Sequence, residues 1–154
     1  MKCLIQRVKH ASVTVDGEVK GKIDEGYLVL FGASQSDELD IADSMAKKLV
    51  NLRIFEDENG KMNLSLLDVG GEALIVSQFT LYANCRHGNR PSFIEACEPV
   101  RANEIYEYFC EKVKNYGVKV EKGVFGADMK VELLNDGPVT IMLDSDEIVK
   151  GKAK

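Results

Sequence analysis

Short apolar runs fill the first third of the chain and predict β-strands. They cover residues 3–8, 11–15 and 18–23, and Asp16-Gly17 between the last two is a two-residue hairpin signal. Residues 26–33 (GYLVLFGA) are continuously apolar, which is typical of a strand buried on both faces. This part of the chain is therefore predicted to be a β-meander.

Two longer segments carry apolar residues at helical spacing. In the first, the spacing predicts a helix over residues 37–52, with Ser36 or Asp37 as its cap. The second helix begins near Pro99, which suits the first helical position, and ends before Gly117, which suits the position after the C-cap.

The remaining apolar runs predict further strands, separated by one aperiodic segment. The strands cover residues 54–56, 73–81, 118–122, 129–134 and 139–143. Residues 82–99 have no period, and long connections of this kind often carry function. About eight or nine strands, mostly in hairpin-like succession, and two main helices predict an α+β fold. Its core would be a mostly antiparallel, barrel-like β-sheet with the helices packed outside. We expect one domain over residues 1–145 and a flexible tail over residues 146–154.

The composition is typical of a soluble globular domain, and the lack of a membrane-spanning run or secretory signal predicts a cytoplasmic location. The chain has 154 residues, of which 45% are hydrophobic and 29% charged, and a domain of this size can bury a core without disulfides or metals. No apolar run approaches the ~20 residues that span a bilayer, and no secretory signal is evident. The net charge of −5 argues against a non-specific nucleic-acid binder, but it allows an enzyme that grips only the end of an RNA.

Familiar catalytic and metal-binding motifs are absent from the sequence. It contains no G-x-S-x-G, Walker A, G-x-G-x-x-G or H-E-x-x-H motif, and neither His10 nor His87 has a metal-ligand spacing. The four cysteines form no C-x-x-C pair, so we expect reduced thiols, with Cys85 in a polar loop as the one to test for reactivity. The residues alone predict no metal and no cofactor, and they do not assign a site.

Two short segments add a different kind of signal. Residues 77–81 (SQFTL) end a predicted buried strand, and residues 135–140 (NDGPVT) lie between two predicted strands. Supporting stretches are residues 4–8, 60–64, 90–93 and 125–129. Together, in this order, they resemble the D-aminoacyl-tRNA deacylase (D-tyrosyl-tRNA deacylase) family, from the first residues to about Leu143. The resemblance implies a homodimer that hydrolyses the ester linking a D-amino acid to the terminal ribose of tRNA. It also implies that glycine on non-cognate tRNA is accepted.

On this resemblance, residues 77–81 line the catalytic pocket. Its catalytic residues would be Ser77, Gln78, Phe79 and Thr80. The backbone N–H groups of Phe79 and Thr80 would face the ester carbonyl. Ester hydrolysis develops negative charge on that oxygen, which fixed donors stabilise. No base that could activate Thr80 is evident. We therefore favour a positioning role for Thr80, with the ribose 2′-hydroxyl assisting the attack, over a Thr80 nucleophile.

The resemblance assigns chiral selectivity to Gly137-Pro138. In the family this peptide bond is cis and enters the partner subunit's active site, where rigid carbonyl oxygens leave room for hydrogen but not for an L side chain. Taken alone, the Asn-Asp-Gly-Pro sequence would favour an ordinary turn. Arg7 matches a residue that braces this segment, and Phe125 and Met129 match positions that help form the adenosine pocket.

Two other functions stay open on the sequence. One is a hydrolase of other esters with Thr80 as nucleophile, and the other is a non-catalytic RNA-binding module. Arg86, His87 and Arg90, in the aperiodic segment, are either a solvated surface or a grip on the phosphates of the tRNA acceptor end. The sequence does not say which D-amino acids are the main substrates, or whether glycine is.

Overall fold

The computed structural model describes residues 1–149 and confirms the predicted α+β fold. Its strands are β1 (Lys2–Val15), β2 (Glu18–Ile23), β3 (Gly26–Gly32), β4 (Arg53–Glu56), β5 (Met62–Ser65), β6 (Glu72–Ser77), β7 (Lys119–Lys122) and β8 (Lys130–Asp144). Its helices are α1 (Leu39–Asn51), α2 (Leu66–Val69), α3 (Pro99–Asn115) and α4 (Ser145–Ile148), and a 3-10 turn spans Phe79–Tyr82. The two main helices of the prediction are α1 and α3.

Six strands form one mixed sheet. Their order is β2-β1-β3-β6-β7, and β8 pairs with β1. β1 is antiparallel to β2, β3 and β8, whereas β3 and β6, and β6 and β7, are parallel pairs. The sheet curls until β2 approaches β7: a β-carbon on Gly21 would lie only 2.6 Å from the carbonyl oxygen of Lys122. The core is therefore barrel-like and mostly antiparallel, as predicted.

Two long strands replace four predicted short ones. β1 is continuous, and β8 runs through the Asn-Asp-Gly-Pro segment, which the sequence had placed between two strands. The prediction of separate strands was wrong because both halves of β8 pair with the same neighbour, β1. Gln6 pairs with Thr140 and Val8 with Asn135, so residues 136–139 stand opposite a single residue of β1 and bulge out of the ladder.

The core has a part on each face of the sheet. Between the sheet and the two main helices, aromatic rings pack together, and the centroids of Phe31 and Phe109 are 4.8 Å apart. Inside the curled sheet the buried residues are aliphatic, and they include Val13, Leu28 and Leu74. Apolar surface buried in this way stabilises the fold by about 25 cal/mol per Å², and it fixes the strand ends that build the site.

The start of α1 differs from the prediction. The helix begins at Leu39, its N-cap residue is Glu38, and no side chain caps it. Asp37 is instead buried, where its Oδ2 accepts a hydrogen bond from the Ser34 N–H at 2.8 Å and lies 2.7 Å from the Met1 ammonium. A charged donor binds a carboxylate more strongly than a neutral amide does. The ammonium therefore holds Asp37 away from the helix end.

The last described residues extend the fold beyond β8. Ile148, at the end of α4, and Val149 pack against the core. Residues 150–154 lie outside the described residues, so the expectation of a flexible tail stays a prediction there. In the part of the chain that the structure describes, no helix is long and apolar enough to cross a membrane.

Candidate active site

A cavity of about 610 Å³ opens where β6 ends. Its wall combines the ends of β3 and β6, the first turn of α3 and the segment that leads into β8. Clefts of 300–1,000 Å³ are the usual size for small-molecule sites. Five of the residues that the sequence singled out line this cavity: Ser77, Gln78, Phe79, Phe125 and Met129.

The strand carrying the first motif ends earlier than predicted. β6 stops at Ser77, and the last ladder-like contact is the Gln78 N–H donating to the Phe31 carbonyl at 2.7 Å. The Leu81 N–H then donates to the Gln78 carbonyl at 3.2 Å, which closes a 3-10 turn instead of extending the strand. The amides of Phe79 and Thr80 precede that first bond, so they have no acceptor within the turn. The 3-10 turn therefore leaves two backbone donors without an intra-turn acceptor, next to the cavity-lining residues Gln78 and Phe79.

Thr80 lies beside the cavity and not in its wall. It is exposed, and its Oγ1 accepts a hydrogen bond from Gln78 Nε2 at 2.5 Å. A neutral amide donor cannot remove the hydroxyl proton. Among residues 1–149, no histidine, lysine or carboxylate is hydrogen-bonded to this hydroxyl, and His10 lies on β1 opposite Leu134. The geometry fits a positioning role for Thr80 better than a nucleophilic one.

Several wall residues were missed by the sequence analysis. Phe31 comes from β3, while Phe93 and Cys97 come from the aperiodic segment. Cys97 is held in place by its N–H, which donates to the Ala33 carbonyl at 3.0 Å, and burial raises the pKa of its thiol. Phe93 belongs to a stretch that supports the family resemblance, but no local pattern placed any of the three in a site, because only the folded chain brings them together.

The Gly137-Pro138 segment does not line the cavity of its own chain. The peptide bond between the two residues is cis, and both residues are exposed on the bulge of β8. Gly137 has φ of 135°, and a β-carbon there would lie 2.8 Å from Cγ2 of Val139. Only glycine therefore fits this position without a shift of its neighbours.

Arg7 holds the base of this bulge. Arg7 is only 5% exposed. Its Nε donates to the Asp136 carbonyl at 3.0 Å, and its Nη1 donates to the Ile54 carbonyl at 2.7 Å. On the other side, Asn135 Nδ2 donates to Gln6 Oε1. The bulge is thus fixed to β1 and β4 by side-chain contacts, not by ladder hydrogen bonds.

No cluster in the described part of the chain suits a metal. Among residues 1–149, no group of three or more His, Cys, Asp or Glu side chains is arranged to hold an ion. The cysteines are free; Cys85 is exposed, while burial raises the pKa of the Cys3 thiol and raises that of Cys110 to about 12.

Comparisons with known proteins find relatives over nearly the whole chain. A family model described as D-Tyr-tRNA(Tyr) deacylase matches residues 4–144. A protein named D-aminoacyl-tRNA deacylase from Fervidobacterium nodosum is 55% identical over 148 residues, which are 96% of this chain and 99% of that protein.

Two solved structures have the same fold. A c-Myc DNA Unwinding Element Binding Protein matches with a TM-score of 0.88 at 42% identity, covering 94% of this chain and 98% of its own. A probable eukaryotic D-amino acid tRNA deacylase matches with a TM-score of 0.83 over 93% of this chain and 98% of its own. At 17% identity, the second likeness shows the fold alone.

Proposed function

Because this chain belongs to the D-Tyr-tRNA(Tyr) deacylase family, we propose that it hydrolyses the ester bond of D-aminoacyl-tRNA and releases the free D-amino acid and tRNA. The observation that carries the proposal is the cavity at the end of β6. There the family motif at residues 77–81 supplies three wall residues, and it also supplies two backbone amides that have no acceptor within the 3-10 turn. Glycine on non-cognate tRNA would be a second substrate, and the site of action would be the cytoplasm.

Backbone amides, and not side chains, would stabilise the transition state of the reaction. The amides of Phe79 and Thr80 would donate to the ester oxygen as it becomes negative, and one such donor typically lowers the barrier by about 3 kcal/mol. The ribose 2′-hydroxyl would assist the attacking water, since Gln78 and Thr80 bind each other and offer no strong base. Ser77 and Gln78 would then orient the substrate.

The terminal adenosine would occupy the apolar part of the cavity. Phe125 and Met129 form that wall, and the Phe125 ring is supported by Tyr106, with ring centroids 6.1 Å apart. Tyr106 is itself buried and donates its hydroxyl to the Ile75 carbonyl at 2.5 Å. A wall fixed in this way offers an aromatic face to a base.

Chiral selection would come from a second copy of the chain. Gly137 and Pro138 are exposed, held by Arg7 through Asp136, and outside their own chain's cavity. In a homodimer they would enter the partner subunit's cavity and place carbonyl oxygens against the α-carbon of the substrate. An L side chain would collide there, whereas the hydrogen of a D-amino acid or of glycine would fit.

The test is a deacylation assay with the D and L forms of one aminoacyl-tRNA, compared with spontaneous hydrolysis without enzyme. We expect turnover of the D ester and only the spontaneous rate for the L ester. Equal enzymatic rates on both would refute the proposal. Analytical ultracentrifugation tests the partner's role, because a monomer with full activity and full selectivity would contradict it.

Replacing Thr80 by alanine separates the proposal from a threonine hydrolase. Partial loss of turnover fits positioning, whereas complete loss in a folded variant fits a nucleophile. A tRNA ending in 2′-deoxyadenosine tests the role of the substrate, since unchanged turnover would exclude assistance by the 2′-hydroxyl.

A second candidate function is nucleic-acid binding without catalysis. It is favoured by the name of the 42% identical c-Myc DNA Unwinding Element Binding Protein. Binding of duplex DNA or of aminoacyl-tRNA with no turnover of any ester would support it.

A further inference from the structure

A folded loop stands beside the cavity on a fixed base. In this 84–93 loop, Asn84 and Ser92 exchange two backbone hydrogen bonds, with Asn84 N–H donating at 2.7 Å and Ser92 N–H at 2.9 Å. The Asn84 side chain also accepts from the Arg86 N–H at 3.0 Å, and Gly88, with φ of 67°, makes the turn. The residues between the two ends are exposed, so the loop projects from the surface in a defined shape.

The 84–93 loop carries two arginine charges that form no ion pair with a carboxylate among residues 1–149. It contains Arg86, His87 and Arg90 and no carboxylate, in a chain whose net charge is −5. Within the part of the chain that the structure describes, neither Arg86 nor Arg90 has a carboxylate at ion-pair distance. By contrast, Arg101 pairs with two carboxylates, each at 3.2 Å. Such a local positive field attracts a polyanion despite the acidic net charge.

The same loop continues into the cavity. Its last residue, Phe93, lines the cavity wall and meets the ring of Phe79 edge-on, with centroids 5.1 Å apart. Both rings are partly open to solvent. Arg90 is three residues before Phe93, so their α-carbons are at most about 11 Å apart. Arginines beside exposed aromatic faces are typical of surfaces that bind single-stranded nucleic acid.

We propose that the 84–93 loop binds the phosphates of the unpaired nucleotides that precede the terminal residue of the tRNA, with Arg86 and Arg90 as the contacts. The inference rests on the proposed function. A tRNA whose terminal nucleoside fills the cavity leaves through its mouth, and the next phosphates then lie within reach of the loop. Guanidinium groups bind phosphate oxygens in a bidentate manner.

The two contacts have a measurable salt signature. Each phosphate contact on a single strand contributes about 0.7 to the slope of log affinity against log salt concentration. Two contacts contribute about 1.4, which is roughly a sevenfold loss of affinity between 50 and 200 mM monovalent salt.

The experiment measures binding of deacylated tRNA by fluorescence anisotropy over that salt range, for the wild type and for the double variant Arg86→Ala/Arg90→Ala. We expect the slope of the variant to be smaller by about 1.4. Kinetics with two substrates accompany it. The variant should have a raised KM for D-aminoacyl-tRNA, and unchanged turnover of a D-amino acid ester of adenosine, which has no phosphate.

Two matched variants isolate the loop from general charge effects. Lys47→Ala/Lys114→Ala removes two exposed charges elsewhere, and Lys114 lies about 22 Å along α3 from the Pro99 end that lines the cavity. It should keep the wild-type slope, as should Arg86→Lys/Arg90→Lys, which retains the charge.

The outcomes separate the loop from the function. An unchanged slope in Arg86→Ala/Arg90→Ala, or an equal decrease in Lys47→Ala/Lys114→Ala, would overturn the inference. So would an equal loss on the adenosine ester, because the loop would then act on the cavity and not on phosphate. If the slope changes as expected but the wild type hydrolyses neither substrate, the loop inference holds and the proposed function fails.

Discussion

Replacing Arg7 by lysine should loosen the Gly137-Pro138 segment and leave the cavity of the same chain intact. The Arg7 guanidinium donates to two carbonyl oxygens, at 3.0 Å to that of the half-buried Asp136 and at 2.7 Å to that of the buried Ile54. A lysine ammonium is a point charge without this fork, so it can satisfy only one of the two at a time. A hydrogen bond from a charged donor contributes ~1.5–3 kcal/mol. The expected loss is therefore about 2 kcal/mol of unfolding free energy.

The assay for Arg7→Lys has a stability arm and a selectivity arm. For a chain of this length, 2 kcal/mol lowers Tm by roughly 4–8 °C, measured by circular dichroism. If Arg7 braces the segment that rejects L-amino acids, the ratio of D to L turnover should fall while most D turnover is kept. The matched control is Arg53→Lys, whose Nε donates to the Asn63 carbonyl at 2.9 Å in an exposed setting. It should change the unfolding free energy by less than about 0.5 kcal/mol. An Arg7→Lys protein with wild-type Tm and wild-type selectivity would refute the reasoning.

Three further outcomes follow from local geometry. Gly137→Ala should lower the ratio of D to L turnover. It should also lower the free energy of unfolding, measured by denaturant titration, by about 1–3 kcal/mol. Gly60→Ala, where φ is also positive but no neighbour lies within 4 Å, should cost less, and equal costs would contradict the steric argument. Glu98→Ala removes the side chain that caps α3, so the free energy of unfolding should fall by about 1 kcal/mol, seen as a lower urea midpoint. An unchanged midpoint would show that the cap does not stabilise the fold. A maleimide at pH 8 should label Cys85 in the folded protein, while Cys110, whose pKa is raised to about 12 by burial, stays a neutral thiol and reacts only after unfolding. Labelling of Cys110 under native conditions, seen by mass spectrometry, would contradict its burial.

Local patterns predicted the elements that depend on a continuous apolar run or on the backbone preferences of single residues. The continuous apolar run became β3, the hairpin at Asp16-Gly17 formed with both residues at positive φ, and Pro99 and Gly117 mark the ends of α3 as predicted. Each of these depends on short-range geometry that a residue carries with it.

The errors occurred where distant partners override local preference. The Asn-Asp-Gly-Pro sequence has turn chemistry, yet β1 pairs with the chain on both sides of it and makes β8 one strand. Asp37 is a good helix cap, but the Met1 ammonium holds it elsewhere. The predicted strand continued past Ser77 to Leu81, whereas the Leu81 N–H closes a turn onto the Gln78 carbonyl.

The site was only partly predictable for the same reason. The family resemblance identified Ser77, Gln78, Phe79, Phe125 and Met129, and the fold places all five in one cavity wall. Much of the rest of that wall comes from β3, the aperiodic segment and the first turn of α3, whose side chains meet only after the sheet and α3 have packed together.

The most direct test of the account is the single-turnover rate of deacylation for D-, L- and glycyl esters on one tRNA, each divided by its spontaneous rate. We predict large ratios for the D ester and for the glycyl ester and a ratio near one for the L ester. A ratio for the L ester equal to that for the D ester would show that the cavity does not select by handedness, and the central claim would fall.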